Sequence, residues 1–265
     1  MGELKKRVIA GLCLGPFIVG VFYFLPVDLF YVFLAIVSLL ATIEATGIAM
    51  VKEKALIGML SLMSSIPLYS GYYGIFVMWI VCSVFIYFIA KALVLKNYES
   101  GVYGDIVKGM IVVMMSEVFI VIPLIYFCLL KKLNVHFPLV ALFSIWSSDT
   151  LAYLLGKGFG KRPLVAHLSP KKTLEGLFGA VLGSVIVVLL TIKLTGFGIF
   201  ESICVGGILG LLGQGGDIFE STWKRLCGVK DSSSLIPGHG GILDRIDSFI
   251  FTTPFLYHYI AGFKL

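Results

Sequence analysis

The sequence has 265 residues, of which 58% are hydrophobic and only 14% are charged, and its mean hydropathy is +1.01. A soluble domain is typically about 45–50% apolar and about 25% charged, so this chain lacks the charge to cover a soluble surface. The 21 Phe and 12 Tyr exclude a disordered chain, and the 30 Gly show no three-residue period that would indicate collagen. The composition therefore predicts an integral membrane protein.

Apolar runs of nearly the length that a helix needs to cross the hydrocarbon, about 20 residues, recur along the whole chain. They lie at 8–25, 29–50, 55–70, 73–95, 106–130, 137–156, 174–194, 200–220 and 242–262. Runs such as 181–190 do not alternate between polar and apolar residues, which excludes an outer-membrane barrel. We therefore predict an all-α polytopic membrane protein with about nine transmembrane helices.

The loops between these runs differ in their content of Lys and Arg. Basic residues concentrate in the loops on the side of the N-terminus, beginning with residues 5–7 and ending with Arg245. Cytoplasmic loops carry such an excess, so we predict a cytoplasmic N-terminus and, with an odd number of spans, a C-terminus outside. The net charge of +6 is then a property of loops beside a membrane, and we expect no nucleic-acid partner.

Three glycine pairs are spaced four residues apart, at Gly11/Gly15, Gly179/Gly183 and Gly206/Gly210. Small residues at this spacing allow two helices to approach closely. We interpret them first as packing features within the chain and second as candidate seams of a homodimer.

The densest polar stretch covers residues 216–248. On a helix, Asp217, Ser221 and Lys224 fall on one stripe, and Asp244 and Asp247 share a face of the next helix. Carboxylates at two facing helix ends suit a hard cation such as Mg²⁺, which prefers oxygen ligands. This pattern predicts a metal site.

Phosphate-binding groups accompany these carboxylates. The cations are Lys224, Arg225, Lys230 and Arg245, and the glycines around His239 allow backbone N–H groups to form an anion-binding concavity. Together with a metal, these groups describe a site for a phosphoanhydride. The alternative interpretation is a solvated loop whose basic residues only set the topology while its carboxylates pair with them.

A second polar cluster begins at Asp149, near the end of a span, and includes residues 156–162 and 169–173. Its glycines match neither the P-loop spacing nor G-x-G-x-x-G, so both nucleotide motifs are rejected. The segment 169–173 is typical of a helix start with a Ser or Thr cap, and it directs Lys171 and Lys172 towards an anion.

These two clusters resemble a known family. Residues 221–225 (Ser-Thr-Trp-Lys-Arg), 230–231 (Lys-Asp) and 237–247 (Pro-Gly-His-Gly-Gly-Ile-Leu-Asp-Arg-Ile-Asp) closely resemble the signature of bacterial-type phosphatidate cytidylyltransferases, also called CDP-diacylglycerol synthases. Residues 148–153 and 169–176 are similar to two further family segments. Trp223 stands where the family usually has an aliphatic residue, and Leu151 where Gly is common, but neither replaces a polar group.

The resemblance implies that CTP and phosphatidic acid react to give CDP-diacylglycerol and pyrophosphate, with Mg²⁺ as one cation and a second cation possible. The catalytic candidates are Asp217, Asp244, Lys224 and Arg225. The metal candidates are Asp217, Asp244 and Asp247. The substrate-binding candidates are Asp149, Lys171, Lys172, Ser221, Lys230, Asp231, His239 and Arg245. Glu44, near the end of the second span, is a further candidate without a defined role.

The resemblance also implies a multi-pass protein of the cell inner (cytoplasmic) membrane whose active site faces the cytoplasm. On this view residues 1–135 form N-terminal transmembrane helices, about five spans by length, and residues 136–265 form the catalytic membrane region. Two alternatives stay open, namely a CTP-dependent lipid or polyprenol kinase and an ion or anion transporter. Against the transporter, the charges cluster at one face of the membrane rather than near its midplane.

Overall fold

The structure, a computed structural model, describes residues 3–94, 102–233 and 240–264, with side chains described for 14–94, 103–233 and 240–264. His239, a predicted binding residue, lies outside the described residues.

The N-terminal half consists of helices. They are α1 (Glu3–Phe24), α2 (Val27–Ile48), α3 (Lys54–Tyr69), α4 (Tyr73–Val94), α5 (Val102–Ser116) and α6 (Ile122–Leu133). A π-helical turn, Glu117–Val121, joins α5 to α6 without a break, so residues 103–133 form one long apolar helix. These bounds follow the apolar runs of the sequence closely.

The C-terminal half contains α7 (His136–Phe159), α8 (Leu174–Leu190), the short α9 (Ile192–Thr195) and the long α10 (Ile199–Leu226). It ends with the short α11 (Leu243–Ile246) and α12 (Phe249–Phe263). The run predicted as one span at 242–262 is therefore two helices, which meet at Asp247 and Ser248.

A two-stranded antiparallel hairpin, β1 (Pro163–Val165) and β2 (Ser169–Thr173), precedes α8. The sequence predicts a helix start at 169–173 and no strand there. The capping prediction is confirmed one residue before α8, where Thr173 Oγ1 accepts a hydrogen bond from the Gly176 N–H at 3.1 Å. Within the described ranges, this hairpin departs from the all-helical prediction.

Among the residues that the structure describes, five helices are long and apolar enough to cross a membrane. They are Val27–Ile48, Tyr73–Val94, Tyr103–Leu133, His136–Phe159 and Ile199–Leu226. Shorter apolar helices cover Leu14–Phe24, Lys54–Tyr69 and Leu174–Leu190. This pattern supports an all-α polytopic membrane protein.

Glycines bring α7, α8 and α10 into backbone contact. A Cβ added at Gly183 would lie 2.5 Å from the Ser147 carbonyl oxygen of α7, and one added at Gly210 would lie 2.8 Å from the Ala180 carbonyl oxygen of α8. Gly179 and Gly206 make equally close contacts with α7 and α8. Both pairs are therefore packing features within the chain, as first predicted, whereas a Cβ at Gly15 would meet nothing within 4 Å.

The main apolar core contains residues from both halves of the chain. Phe22 and Phe30 of the N-terminal helices belong to the same buried cluster as Phe127, Leu243 and Leu256. Residues 240–246, which carry part of the predicted signature, are therefore held against helices from both halves.

Candidate active site

The geometry of the site begins with two glycines on α10. A Cβ at Gly216 would overlap the carbonyl oxygen of Asp247, and one at Gly213 would lie 2.7 Å from Ile145 Cδ1 and 3.9 Å from Ser248 Cβ. Only a residue without a side chain allows α10 to approach the junction of α11 and α12 so closely. The close approach sets Asp217, the next residue on α10, beside Asp247.

Three carboxylates then face one another, Asp149 from α7, Asp217 from α10 and Asp247 from the α11–α12 junction. We call them the carboxylate cluster, and their charges lie near enough to repel one another. Lys172 of β2 pairs with Asp217, its Nζ 2.7 Å from Oδ2, and Gln214 Nε2 donates to Asp149 Oδ1 at 3.4 Å. Polar side chains of α7, α10, β2 and the α11–α12 junction, which are distant in the sequence, thus lie close together.

About two helical turns beyond Asp217 on α10, a lysine joins two more carboxylates. Lys224 Nζ lies 2.6 Å from Glu220 Oε2 and 2.6 Å from Asp244 Oδ1. We call Glu220, Lys224 and Asp244 the lysine clamp. Its side chains are largely shielded from solvent, Glu220 being only 1% exposed, so these ion pairs are far stronger than pairs in open water.

Asp244 is the most completely satisfied member of the clamp. Its Oδ2 accepts hydrogen bonds from the Ser232 hydroxyl at 2.9 Å and from the Gly241 N–H at 2.9 Å. Burial alone would raise the pKa of Asp244, but these donors together with Lys224 outweigh it and lower the pKa to about 2. The carboxylate is therefore ionised at neutral pH.

Glu44 of α2 reaches into the same region from the N-terminal half. Its carboxylate accepts hydrogen bonds from the hydroxyls of Ser232 and Ser233 and from the N–H groups of Ile242 and Leu243. The resemblance named Glu44 without a role, and the structure gives it these specific partners.

The other predicted residues lie around these groups. Ser221 donates its hydroxyl to Asp217 Oδ1 at 3.3 Å, and Arg225 Nη1 donates to the Val229 carbonyl oxygen at 3.4 Å. The remaining predicted binding residues are exposed to solvent, namely Lys171, Lys230, Asp231 and Arg245.

Several polar residues of the site received no role from the sequence. They are Gln214, Glu220, Ser232 and Ser233. Glu220 had a usable signal, because it precedes Lys224 by four residues and so lies next to it on a helix. The two serines and Gln214 had no local signal, since their partners Glu44 and Asp149 are far away in the sequence.

The predicted metal ligands divide between the two groups of charges, Asp217 and Asp247 in the carboxylate cluster and Asp244 in the lysine clamp. Within residues 14–94, 103–233 and 240–264, no three His, Cys, Asp or Glu side chains are arranged as ligands of a single metal ion.

The sequence that carries these charged groups is similar to the sequences of known proteins. The model of the cytidylyltransferase family matches residues 5–263. The chain belongs to the cytidylyltransferase family. The match extends from α1 to α12 and so includes the carboxylate cluster, the lysine clamp and Glu44.

Two curated members of the family share a more specific sequence similarity with this chain. The chain is 43% identical over 145 residues to a phosphatidate cytidylyltransferase of Staphylococcus aureus (strain COL), covering 54% of this chain and 56% of that protein. It is 40% identical over 134 residues to a phosphatidate cytidylyltransferase of Aquifex aeolicus (strain VF5), covering 51% of each. The chain thus matches about half the length of these cytidylyltransferases.

Proposed function

We propose that this protein transfers the cytidylyl group of CTP to phosphatidic acid, giving CDP-diacylglycerol and pyrophosphate. The observation that carries the proposal is the carboxylate cluster with Lys172 beside it, next to the lysine clamp, at the end of helices apolar enough to lie in a membrane. Membership of the cytidylyltransferase family and the likeness to phosphatidate cytidylyltransferases support the same reaction.

The reaction needs little acid–base chemistry from the protein. A phosphate oxygen of phosphatidic acid attacks the α-phosphorus of CTP, and the bond from that phosphorus to the oxygen bridging it to the β-phosphorus breaks, releasing pyrophosphate. A phosphate monoester has a second pKa of about 6, so the nucleophile is already largely ionised. The task of the site is to bring two anions together and to stabilise the leaving group.

The residues present fit a divalent cation, because more carboxylates than cations meet at the site. The carboxylates are Asp149, Asp217, Glu220, Asp244 and Asp247, and the nearby cations Lys172, Lys224 and Arg245 are fewer than these carboxylates. Glu220 Oε1 is moreover buried without a hydrogen-bond partner among the described residues. A buried excess of negative charge is costly unless a cation compensates it.

In this proposal Asp217, Asp244 and Asp247 would hold Mg²⁺, as one or two cations divided between the carboxylate cluster and the lysine clamp rather than as three ligands of a single ion. A bound Mg²⁺ supplies charge neutralisation on phosphate oxygens and stabilises the departing pyrophosphate. Lys172 at the cluster and Arg245 near it would hold phosphate groups of the substrates, and Ser221 would position CTP. The exposed Lys171, Arg225 and Lys230 form the basic surround that attracts both anions.

The membrane arrangement is part of the proposal. The nine spans would be formed by the predicted runs, the last of them by α12, with a cytoplasmic N-terminus, an external C-terminus and the site at the cytoplasmic face of the inner membrane. The basic loops support this orientation. Residues 1–135 would form the supporting helices and residues 136–265 the catalytic region.

A homodimer also belongs to the proposal. Its seam would avoid the Gly179/Gly183 and Gly206/Gly210 pairs, because these contact helices of the same chain.

A labelled-nucleotide assay tests the reaction. The full chain is purified in detergent and incubated with phosphatidic acid, Mg²⁺ and CTP labelled either in the cytosine or in the γ-phosphate. We expect the cytosine label in the lipid fraction and the γ label in pyrophosphate, with turnover lost on chelation and restored by Mg²⁺.

Other outcomes would contradict the proposal. A γ label in the lipid with release of CDP would identify a lipid kinase. Substrate-dependent anion flux into proteoliposomes without CTP turnover would identify a transporter. Undiminished cytidylyl transfer after chelation would remove the metal from the proposal.

A further inference from the structure

Among the side chains that the structure describes, Glu44 is the one carboxylate of this region that comes from the N-terminal helices. It lies four residues before the end of α2 and is 8% exposed. No ion pair involving Glu44 is present in the described part of the chain. Its partners are instead neutral hydrogen-bond donors of residues about 190 positions away.

The donors fill both oxygens of Glu44. Oε1 accepts from Ser233 Oγ at 2.6 Å and from the Ile242 N–H at 3.0 Å. Oε2 accepts from the Leu243 N–H at 2.9 Å and lies 3.2 Å from Ser232 Oγ, whose single proton is shared with Asp244 Oδ2. An ionised carboxylate offers about four lone-pair positions, and the donors that occupy them here all belong to residues 232–243.

Two of these donors are backbone N–H groups at the start of α11. The first N–H groups of a helix have no partner within the helix, and a short helix such as α11 has little cooperativity to hold it together. Glu44 supplies the missing acceptors from another part of the chain. It does for α11 what a capping side chain does within a single segment.

The other two donors lie on the opposite side of residues 234–239. Ser232 and Ser233 come just before that segment, whereas Gly241 and the start of α11 come just after it. The packing is tight here, because a Cβ at Gly241 would overlap both Ser232 Oγ and Glu44 Oε2. One carboxylate thus joins the two ends of the segment that carries part of the family signature.

We propose that Glu44 is a positioning residue, which fixes residues 232–233 and the start of α11 relative to each other and thereby presents Asp244 to Lys224. Ser232 links the two acidic residues directly, since its hydroxyl lies 3.2 Å from Glu44 Oε2 and 2.9 Å from Asp244 Oδ2. The consequence for turnover rests on the proposed function, but the positioning itself does not.

Amide hydrogen exchange of the full chain in detergent, without substrates, tests the positioning independently of catalysis. Glu44→Gln keeps the shape but replaces one acceptor oxygen by an NH₂ donor that faces the existing donors. We expect the amides of Ile242 and Leu243 to exchange about tenfold faster or more, as the loss of hydrogen bonds to a charged group implies, with no change in α12.

A matched control is Glu53→Gln. Glu53 is also an acidic residue beside an N-terminal helix, but it pairs with Lys91 at 2.7 Å and accepts from Tyr87. It should leave exchange at residues 241–246 unchanged. Wild-type exchange in Glu44→Gln would overturn the proposal, as would equal acceleration across all helices, which indicates only a loss of global stability.

Two further variants keep the test decisive if Glu44→Gln does not fold. Ser233→Ala removes one of the bonds to Glu44 and should accelerate exchange at Ile242 less than Glu44→Gln. Gly241→Ala displaces the carboxylate without changing charge and should accelerate exchange at both amides. Wild-type exchange in both variants would refute the positioning role.

The effect of Glu44→Gln on cytidylyl transfer is a second, separate measurement. If the wild type transfers cytidylyl groups, we expect Glu44→Gln to lower kcat about tenfold or more at a KM for phosphatidic acid near that of the wild type, with an unchanged Tm. If kcat is unchanged while exchange is accelerated, Glu44 fixes residues 232–233 and the start of α11 but their position does not limit the reaction, which refutes the presentation of Asp244. An inactive wild type would refute the proposed function alone.

Discussion

The two ends of α10 hold charge in different ways. At its N-terminal end, Glu201 pairs with Lys264, Nζ to Oε2 at 2.7 Å, and accepts hydrogen bonds from the Tyr259 hydroxyl at 2.8 Å and the Gly198 N–H at 3.0 Å. One carboxylate meets one ammonium group and two neutral donors. The charges at this end are balanced and complete the contact between α10 and α12.

The C-terminal end of α10 is not balanced. Asp217 and Glu220 lie near further carboxylates from α7 and from the region of α11, and the nearby cations Lys172, Lys224 and Arg245 are fewer than these carboxylates. If the proposed function is correct, charge as such does not mark the active site of this protein, whereas an excess of one sign held by packed helices does.

The largest effect is expected from Asp217→Asn, which removes one charge from the unbalanced end. We expect CTP turnover to fall by about 10²–10³-fold, the usual cost of one preorganised electrostatic group, and the variant to remain folded because Asn has the same shape. Cytidylyl transfer to phosphatidic acid in detergent measures it.

The matched control for Asp217→Asn is Glu201→Gln, on the same helix at the balanced end, which should keep wild-type turnover. Near-normal turnover in Asp217→Asn would show that the carboxylate cluster is structural. The comparison between the two ends would then fail as a guide to function.

The next largest effect is expected on the free energy of unfolding. Lys224→Met leaves Glu220 and Asp244 without their shared cation, and removing one partner of a buried ion pair costs about 3–5 kcal/mol. We expect the free energy of unfolding to fall by about 3 kcal/mol, measured by denaturant titration in detergent.

The triple variant Glu220→Gln/Lys224→Met/Asp244→Asn tests the cause of that loss. Without the carboxylate charges, it should recover part of the stability, although not the activity. A triple variant less stable than Lys224→Met would show that burial of the charges is not what destabilises the single variant.

The sequence predicted the helices well because their signal is local. The runs at 29–50 and 55–70 correspond within two residues to α2 and α3, since an apolar stretch of this length is sufficient to predict a membrane helix. The Thr173 cap was also readable from adjacent residues. The break between α11 and α12 was not, because it depends on the approach of Gly213 and Gly216 from another helix.

The sequence indicates which residues belong to the candidate site but not which of them pair with one another. Asp217, Lys224 and Asp244 were singled out because of their spacing and their resemblance to a known signature. Their pairing is tertiary, since Lys172 of the hairpin engages Asp217 and Lys224 joins Asp244 to Glu220. The bonds of Glu44 cross almost the whole sequence, and no periodicity or spacing could have indicated them.

A smaller loss of stability is expected when Ala replaces a glycine that contacts a neighbouring helix, and no loss when it replaces a glycine that contacts nothing. The difference tests whether close helix packing holds the carboxylate cluster together. Gly183→Ala forces a methyl group against the carbonyl oxygen of Ser147, two residues before Asp149, which should destabilise the protein by about 1–3 kcal/mol. Gly207→Ala on α10 meets nothing within 4 Å and should be neutral or stabilising, because Ala favours a helix by about 1 kcal/mol. Tm values in detergent compare the two, and a reversed order would contradict the packing of α7 on α8.

The smallest effect is expected at the balanced end of α10 itself. Glu201→Gln removes the ion pair with Lys264, whose side chain is 33% exposed, and such partly solvated pairs contribute about 0–1 kcal/mol. The amide oxygen of Gln can still accept from Tyr259, so we expect a loss of under about 1 kcal/mol in unfolding free energy. Raising the salt concentration should shrink the difference from the wild type further, because screening weakens the pair that the variant lacks. A loss as large as that of Lys224→Met would mean that charge is buried equally at both ends of α10, and the excess of carboxylates alone would then distinguish them.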